Sequence, residues 1–330
     1  MKSLVTGGAG FIGSHLVDAL LKLGHQVTVL DNFSTGRPEN VEHVKHDIDL
    51  VECDIGKCSG WENSFRDVDW IFHLAALADI VPSIQNPNDY FRSNVDGTFN
   101  VLQATRESEC GRFIYVASSS SYGLPNIFPT PETADIDPQY PYALTKYLGE
   151  ELVMHWAKVY ELPAVSLRFF NVYGPRSRTS GTYGAVFGVF LAQKLAKTPF
   201  TVVGDGSQTR DFTYVSDIVK ALITAAESSK TNAVYNVGSG ATVSVNRLVE
   251  LLGGEKIFIP KRPGEPDCTF ADISKIQTEL DWHPEIAIEQ GVSELLEHIE
   301  YWRDAPVWTP DAIATATKDW FRYLGSSDSG

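Results

Sequence analysis

A glycine-rich loop close to the N-terminus constrains the fold of this chain more than any other feature. A short, mostly apolar run at residues 2–6 leads directly into Gly7, Gly10 and Gly13, and residues 14–24 then carry apolar side chains at helical spacing. The pattern predicts a strand, a loop and a helix. In that arrangement the three glycines serve, in order, a tight turn, the close approach of backbone to a pyrophosphate, and the packing of helix on strand.

A carboxylate follows at the position that a dinucleotide-binding unit requires. Residues 26–30 form a second strand-like run that ends at Asp31, where a carboxylate accepts hydrogen bonds from an adenosine ribose. Asp31 would repel a 2′-phosphate, so the unit predicts NAD in preference to NADP. Arg37 lies a few residues later and could contact a phosphate, which keeps NADP open as the alternative.

The rest of the chain predicts an α/β fold, a Rossmann-like doubly wound parallel sheet with a smaller, mixed C-terminal substrate domain. Its 330 residues, 43% of them apolar, suffice for both parts. From residue 171 onward glycine and proline become frequent and strand-like runs shorten. We therefore predict a dinucleotide-binding domain at 1–170, to which 211–239 returns, and a substrate domain at 171–330. Strands are expected at 50–54, 70–74, 112–116, 164–168 and 233–237, and helices at 90–110, 142–160 and 217–226.

Charge and cysteine content exclude several classes of function. The net charge of −15 argues against nucleic-acid and anionic-membrane partners, so an anionic substrate would need a local arginine cluster. Cys53, Cys58, Cys110 and Cys268 show neither a Cys-x-x-Cys pair nor metal-ligand spacing. No apolar stretch reaches membrane-spanning length, and the first residues do not resemble a signal peptide. We expect a soluble, cytoplasmic protein with reduced thiols and no metal.

A tyrosine and a lysine four residues apart form the candidate chemical centre. Tyr142 and Lys146 would share one face of a helix, and a serine run at residues 118–121 precedes them. Bringing a phenol pKa from about 10 to about 7 takes about 4 kcal/mol, which the lysine and a positively charged nicotinamide could supply. The spacing is common and equally fits a solvated or half-buried helix face. The glycine loop and Asp31 favour the chemical interpretation because they supply a redox partner.

Taken in order, the motifs resemble one family over residues 1–301. The chain is similar to the extended short-chain dehydrogenases/reductases, and within them to nucleotide-sugar 4-epimerases of the UDP-galactose and UDP-N-acetylglucosamine type. The motifs are Thr6-Gly-Gly-Ala-Gly-Phe-Ile-Gly13, Asp31-Asn-Phe33, His73-Leu-Ala-Ala76, Ser118-Ser-Ser-Ser-Tyr-Gly123, Tyr142-x-x-x-Lys146, Arg168-Phe-Phe-Asn-Val-Tyr-Gly-Pro-Arg176, Gly204-Asp-Gly-Ser-Gln-Thr-Arg-Asp-Phe212 and Arg262-Pro-Gly-Glu265.

The resemblance implies a catalytic trio of Ser118, Tyr142 and Lys146. In the family's dehydratases Asp-Glu follows the catalytic hydroxyl, and decarboxylases carry a glutamate at the second of these places. Here Ser119 and Ser120 stand there, and neither can act as a carboxylate acid or base. The resemblance therefore implies C4 epimerisation of a UDP-hexose through a transient 4-keto sugar, with tightly bound NAD that is not consumed. Alternatives are a UDP-glucuronate decarboxylase or dehydratase, a nucleotide-sugar ketoreductase and, from another class, a non-catalytic NAD sensor.

The same resemblance assigns the binding residues. It implies that NAD contacts Gly7, Gly10, Phe11, Ile12, Gly13, Asp31, Asn32, Ser34, Thr35, Gly36, Asp54, Ile55, Leu74, Ala75, Ala76, Asn94, Tyr142, Lys146 and Phe169. It implies that the UDP-sugar contacts Ser83, Ser118, Ser119, Ser120, Tyr142, Asn171, Val186, Thr201, Arg210, Arg262, Glu265 and Thr269. Arg210 and Arg262 suit a diphosphate because guanidinium groups bind phosphate oxygens bidentately, although either could instead form surface ion pairs.

Three further expectations concern specificity, assembly and the C-terminus. In the family, a bulky residue seven places after the second diphosphate arginine excludes an N-acetyl group; the small Thr269 stands there and favours UDP-GlcNAc/UDP-GalNAc, with UDP-Glc/UDP-Gal as further substrates. Ala78 and the 178–184 loop could also influence this choice. Relatives form homodimers through two helices, here 90–110 and 142–160. The aromatic segment at 301–324, which includes Trp320, predicts docking against the core, with a partner-binding or lid role as the alternative.

Overall fold

The computed structural model describes residues 1–57, 60–108, 110–177 and 185–325. The predictions that concern Cys58, the 178–184 loop and the polar tail at 326–330 lie outside these residues. Among the described residues, no helix combines the length and the apolar character needed to cross a membrane.

Thirteen strands are found in the described part of the chain, and we number them in chain order. They are β1 Lys2–Thr6, β2 Gln26–Asp31, β3 Ile48–Glu52, β4 Trp70–His73, β5 Arg112–Ser118, β6 Ala164–Phe169, β7 Asn171–Tyr173, β8 Phe200–Val203, β9 Thr209–Arg210, β10 Phe212–Tyr214, β11 Ala233–Val237, β12 Val243–Ser244 and β13 Lys256–Ile259.

The helices are numbered in the same way. They are α1 Phe11–Lys22, α2 Ile80–Gln85, α3 Pro87–Phe91, α4 Gly97–Arg106, α5 Pro141–Val159, α6 Val186–Leu195, α7 Val215–Glu227, α8 Val245–Leu252, α9 Ser274–Leu280, α10 Ile288–Glu297, α11 Pro310–Ala316 and α12 Lys318–Leu324. A π-helical turn, Arg92–Asp96, joins α3 to α4. Short 3₁₀ turns occur at Pro38–Asn40, Glu42–Val44, Trp61–Phe65, Ser119–Tyr122 and Ile299–Trp302.

Seven of the strands form one parallel sheet in the order β11-β6-β5-β4-β1-β2-β3. The order reverses between β1 and β4, so the connections that follow these two strands lead away from each other and leave a crevice, which is where ligands bind in open α/β sheets. Helices α1 and α7 cover one face through side chains such as Leu16 and Leu222, and α4 and α5 cover the other through Val101 and Val153. The predicted doubly wound α/β fold is confirmed.

A smaller group of elements packs over the carboxyl edge of the sheet. The strand pairs β10-β7, β12-β9 and β13-β8 stand apart from the main sheet, and α6, α8 and α10 share an apolar cluster with them. Strand β11 returns to the main sheet and pairs in parallel with β6. The division into two domains at residue 170 remains a prediction.

Several predicted elements differ in their ends from the observed ones, β3 and the helix expected at 90–110 among them. The strand expected at 50–54 is β3, which begins and ends two residues earlier. The helix expected at 90–110 is interrupted by the π turn at Arg92–Asp96, and α4 ends at Arg106. The π turn lies where the Asn94 side chain points inward and forms hydrogen bonds with the backbone of Leu77. The apolar periodicity of the sequence contains no information about such a contact between distant segments.

Candidate active site

A cavity of about 660 Å³ opens at the carboxyl edge of the sheet, between the main sheet and the smaller group of elements. Its walls include the glycine loop, the serine run after β5, the start of α5, and residues from β7, α6 and the segment 262–269. A cavity of this size suits a ligand larger than a single sugar.

The glycine loop is packed so tightly that side chains do not fit. Gly7 has a φ of +72°, and a Cβ on it would lie 2.8 Å from the backbone nitrogen of Ala75. A Cβ on Gly13 would lie 2.1 Å from the carbonyl oxygen of Gly7. Gly10 precedes α1 and places the helix N-terminus at the cavity. The loop therefore lets backbone N–H groups face an anionic ligand, as a pyrophosphate cradle requires.

Asp31 stands at the end of β2 and lines the same cavity. Its Oδ2 accepts a hydrogen bond from the Ala9 nitrogen at 2.9 Å, and its Oδ1 accepts one from the Phe33 nitrogen at 2.8 Å. Burial raises the pKa of Asp31, and these backbone hydrogen bonds oppose the rise. A Cβ on Gly36 would lie 2.7 Å from Oδ1, so only glycine fits beside the carboxylate. These crowded glycines and the fixed carboxylate fit the NAD expected from the sequence.

Arg37, the residue that left NADP as an alternative cofactor, contacts other side chains. The Arg37 guanidinium carbon lies 5.0 Å from the centre of the Tyr301 ring, and its Nε lies 3.6 Å from a carboxylate oxygen of Glu39. Tyr301 also donates to the Asn40 side chain at 3.1 Å. The contacts of Arg37 involve one face of the guanidinium and its Nε, so the preference for NAD rests on the Asp31 carboxylate, which would repel a 2′-phosphate.

A cluster of hydroxyl groups surrounds the predicted phenol. The Oγ atoms of Ser118 and Ser120 lie 2.8 Å apart, and both serines hydrogen-bond to Tyr142. Burial raises the pKa of Tyr142, and the two serine hydrogen bonds oppose this rise. Tyr142 also lies against Tyr90 and stacks on Tyr140, with ring centres 6.4 Å apart in each pair. The phenol is held in a fixed position between aromatic rings and hydroxyl groups.

Lys146 is buried one helical turn after Tyr142, and its environment changes the expected electrostatics. Its Nζ lies 4.5 Å from the centre of the Tyr115 ring. Burial lowers the pKa of Lys146 to about 7, although Glu150 opposes the shift. Burial is also what raises the pKa of the Tyr142 phenol, and the groups that oppose this rise are Ser118 and Ser120. The sequence pattern predicts instead that Lys146 lowers the phenol pKa.

The two predicted diphosphate arginines meet at one carboxylate. Arg210 Nη2 lies 3.0 Å from Oε1 of Glu265, and Arg262 Nε lies 3.7 Å from Oε2 of the same residue. All three side chains are largely buried and line the cavity. The smaller group of elements thus carries the local positive charge that an acidic chain needs to bind a phosphate.

Asn171 and Thr269 are paired although they lie 98 residues apart in the chain. The Thr269 hydroxyl donates to Oδ1 of Asn171 at 2.8 Å and accepts from the backbone nitrogen of Asp211 at 3.2 Å. Thr201, on the wall formed by β8, is fixed by the Gln193 side chain, which donates to its Oγ1 at 2.9 Å. These contacts hold small polar side chains against the cavity without filling it.

The cavity is lined by the predicted cofactor and substrate residues, with two exceptions. Ser83 is fully buried within α2 and donates to the Ile80 carbonyl, and Asn94 is held behind the wall by Leu77 and Thr145. The lining residues are Gly7, Gly10, Phe11, Ile12, Gly13, Asp31, Asn32, Ser34, Thr35, Gly36, Asp54, Ile55, Leu74, Ala75, Ala76, Ser118, Ser119, Ser120, Tyr142, Lys146, Phe169, Asn171, Val186, Thr201, Arg210, Arg262, Glu265 and Thr269.

Several lining residues were not assigned to the site from the sequence. Tyr140, Trp308 and Trp320 belong to this group. Tyr140 precedes the first residue of α5, and its proximity to the Tyr-x-x-x-Lys pair was the available signal. The two tryptophans come from the C-terminal segment, for which the sequence predicted docking against the core and gave no position relative to the cavity.

The cysteines and acidic residues do not form a metal centre in the part of the chain that the structure describes. Cys53, Cys110 and Cys268 are free thiols. Burial raises the pKa of Cys53 to about 11 and that of Cys110 to about 12, so both are protonated at neutral pH.

Fold and site together define a Rossmann-type NAD-binding protein whose cavity holds a serine–tyrosine–lysine group and an arginine pair. A family model for the NAD dependent epimerase/dehydratase family matches residues 3–238, which is more than half of the chain. The chain therefore belongs to the NAD dependent epimerase/dehydratase family, the extended short-chain dehydrogenase/reductase family that the motifs predicted. Its cofactor is NAD, as the glycine loop and Asp31 predicted.

Individual relatives within this family differ in reaction and substrate. The chain is 34% identical over 311 residues to the UDP-glucose 4-epimerase of Mycolicibacterium smegmatis, covering 90% of this chain and 98% of that one. It is 34% identical over 309 residues to UDP-glucuronic acid decarboxylase 1 of Arabidopsis thaliana, covering 90% and 69%. A UDP-N-acetylglucosamine 4-epimerase from Methanobrevibacter ruminantium M1, solved with UDP-N-acetylmuramic acid, superposes with a TM-score of 0.87 at 34% identity, covering 91% and 98%.

Proposed function

We propose that this protein is a UDP-sugar 4-epimerase that inverts C4 of UDP-GlcNAc/UDP-GalNAc and also accepts UDP-Glc/UDP-Gal. The observation that carries the proposal is the hydroxyl cluster of Ser118, Ser120 and Tyr142. The two positions after the catalytic hydroxyl hold Ser119 and Ser120, where dehydratases and decarboxylases of the family carry acidic residues. A site with hydroxyl groups there can move one hydroxyl proton, whereas elimination needs an additional acid and base.

In this reaction the residues of the chain handle the proton and the orientation of the sugar. Tyr142 takes the proton of the sugar 4-hydroxyl, directly or through Ser118, to which it is hydrogen-bonded. When bound, NAD would supply the acceptor for the C4 hydride and its donor on return to the opposite face of the sugar. Lys146 would hold the nicotinamide ribose, the 4-keto sugar would turn over inside the cavity, and Tyr142 would give the proton back to the 4-oxygen. Because the hydride is returned, the reaction needs no added oxidant.

The arginine pair provides the binding energy for the nucleotide. Arg210 and Arg262 sit on opposite oxygens of Glu265 and can both face a diphosphate in the cavity. Asn171 then contacts the diphosphate region, and Thr269 lies next to the sugar. Thr269 is small, which leaves room for a 2-N-acetyl group; this supports the N-acetylated substrates over plain hexoses.

The first test is a panel of UDP-sugars incubated with the purified protein without added NAD, with C4 stereochemistry read by NMR. We expect interconversion of UDP-GlcNAc and UDP-GalNAc, and loss of turnover with retained NAD in Tyr142→Phe. Release of carbon dioxide from UDP-glucuronate, loss of water from a nucleotide sugar, or stoichiometric consumption of NADH would each contradict epimerisation. Turnover that survives in Tyr142→Phe would remove the tyrosine from the mechanism.

The second test concerns the sugar. Thr269→Tyr should lower kcat/KM for UDP-GlcNAc at least about 100-fold while UDP-Glc loses less than about tenfold, because the ring would occupy the space beside the 2-substituent. Thr269→Ser is the matched control, since it keeps a small hydroxyl for Asn171. Equal losses on both sugars, or a wild-type protein that equilibrates UDP-Glc and leaves UDP-GlcNAc untouched, would overturn the size argument.

A further inference from the structure

The C-terminal helix α12 contributes a tryptophan to the cavity wall beside one of the two arginines. Trp320 is 2% exposed and lines the cavity together with Arg262. The Arg262 guanidinium carbon lies 5.3 Å from the centre of the indole ring, within the range of a cation–π contact. The indole therefore contacts Arg262, which binds the diphosphate in the proposed function.

Trp320 is itself fixed from several sides. Its Nε1 donates to the carbonyl oxygen of Pro263 at 2.7 Å, in the same loop as Arg262. Its ring lies 6.3 Å from that of Tyr140, at the start of the helix that carries Tyr142. The preceding residue, Asp319, accepts a hydrogen bond from the Gln85 side chain on α2 at 3.2 Å. Helix α12 thus joins the Arg262 loop to elements of the Rossmann half.

The geometry suits a positioning role because of how guanidinium groups bind. An aromatic ring contacts the face of a guanidinium, whereas phosphate oxygens are bound by N–H groups in its plane. Glu265 approaches the Nε side of the Arg262 guanidinium, with its Oε2 at 3.7 Å from Nε. An arginine held on its face and near its Nε loses less rotamer freedom when a phosphate arrives, so binding costs less entropy.

We propose that Trp320 is a positioning residue that holds the Arg262 guanidinium for the diphosphate of a UDP-sugar, which makes α12 part of the nucleotide-binding wall. The inference rests on the proposed function, since it takes the diphosphate at Arg262 as given. If Trp320 only docked the C-terminal segment against the core, it would stabilise the fold. It would not change the contribution of Arg262 to nucleotide binding.

The experiment measures binding of UDP by titration calorimetry, which does not depend on turnover. Trp320→Leu and Trp320→Phe form a matched pair, because both lose the indole N–H but only phenylalanine keeps an aromatic face. Trp320→Leu should raise the Kd for UDP about 5- to 30-fold, and Trp320→Phe less than about threefold. Tyr323→Ala is the control: this exposed side chain on the same helix should leave the Kd unchanged.

A double-mutant cycle separates positioning from packing. In an Arg262→Ala background, Trp320→Leu should change the Kd less than about twofold, because the residue through which it acts is gone. Thermal unfolding of every variant confirms that folded proteins are compared, and Trp320→Phe in the same background repeats the test with a milder change.

The outcomes distinguish this inference from the proposed function. If wild-type protein binds UDP and Trp320→Leu binds it equally well, or loses the same factor with and without Arg262, the positioning role is wrong and the epimerase proposal stands. If wild-type protein does not bind UDP, both are wrong.

Discussion

At the scale of single residues, burial governs the titration of the candidate catalytic pair. Tyr142 and Lys146 are both enclosed, and burial disfavours the charged form of each: it raises the pKa of the phenol and lowers that of the ammonium. The hydrogen bonds from Ser118 and Ser120 oppose the shift of the phenol. Two residues of the serine run therefore affect the titration of the phenol.

The buried lysine predicts a pH-dependent stability. The unfolded chain keeps the proton of Lys146 up to about pH 10, whereas the folded chain releases it near pH 7. Between these values the unfolded state binds more protons, so the free energy of unfolding rises with pH. Relative to Lys146→Met, wild-type protein should gain about 2 kcal/mol between pH 7 and pH 9.

The measurement is urea denaturation of both proteins across this pH range. Lys158→Met, which changes an exposed lysine on the same helix, is the control and should show a constant difference from wild type. A constant difference for Lys146→Met as well would show that the lysine does not titrate in this range in the folded protein.

At the scale of elements, the π turn at Arg92–Asp96 connects α5 to the cavity wall. Asn94 accepts from the Leu77 nitrogen at 2.8 Å and donates to the Leu77 carbonyl and to the Thr145 hydroxyl, both at 3.0 Å. Leu77 belongs to the wall that follows β4, and Thr145 precedes Lys146 on α5. One side chain thus sets the distance between the wall and the helix that carries the tyrosine and lysine.

Asn94→Ala should therefore affect both stability and turnover. It leaves buried polar groups without partners, which costs about 1–3 kcal/mol each, and it frees α5 to shift. We expect a loss of about 2–4 kcal/mol in the free energy of unfolding and a fall of about tenfold or more in kcat.

Urea denaturation and NMR-based turnover check the two effects. Gln103→Ala, on the helix that follows the π turn, should change neither. Unchanged turnover in a destabilised Asn94→Ala protein would confine Asn94 to a role in folding.

At the scale of the whole molecule, charge and surface apolarity are unevenly distributed. A chain with a net charge of −15 brings Arg210 and Arg262 together at the cavity, where an anionic substrate can bind. Apolar side chains remain exposed on the helices predicted to form a dimer interface: they are Phe91, Phe99, Leu144, Val159 and Tyr160. An exposed apolar face on two neighbouring helices is typical of a contact between protein copies.

We predict a homodimer in solution that forms through these helices. Phe99→Glu places a charge on this face, and it should shift the sedimentation coefficient from dimer to monomer because a buried unpaired charge opposes association. Phe258→Glu is the control. It makes the same substitution at an exposed position on β13 and should leave the dimer unchanged. A wild-type protein that sediments as a monomer would contradict the predicted dimer.

Sequence by itself determined the features that are local in the chain. The turn from β1 to α1 favours glycine at Gly7 because its φ is +72°, and at Gly13 because the carbonyl oxygen of Gly7 fills the space of a Cβ. Asp31 follows one strand later, and Tyr142 and Lys146 share a helix face by spacing alone. These short-range patterns were enough to predict the doubly wound fold, the family and NAD.

Only the tertiary structure decided the features that join distant segments. Arg210 and Glu265 meet across 55 residues, and Trp320 reaches the Arg262 loop from the far end of the chain. Periodicity and motif spacing carry no information on such contacts, so Trp320 was missed as a cavity residue. Burial is likewise a property of the packed molecule. It reversed the expected shift in the pKa of Tyr142, because the fold removes the phenol from water and burial disfavours its charged form.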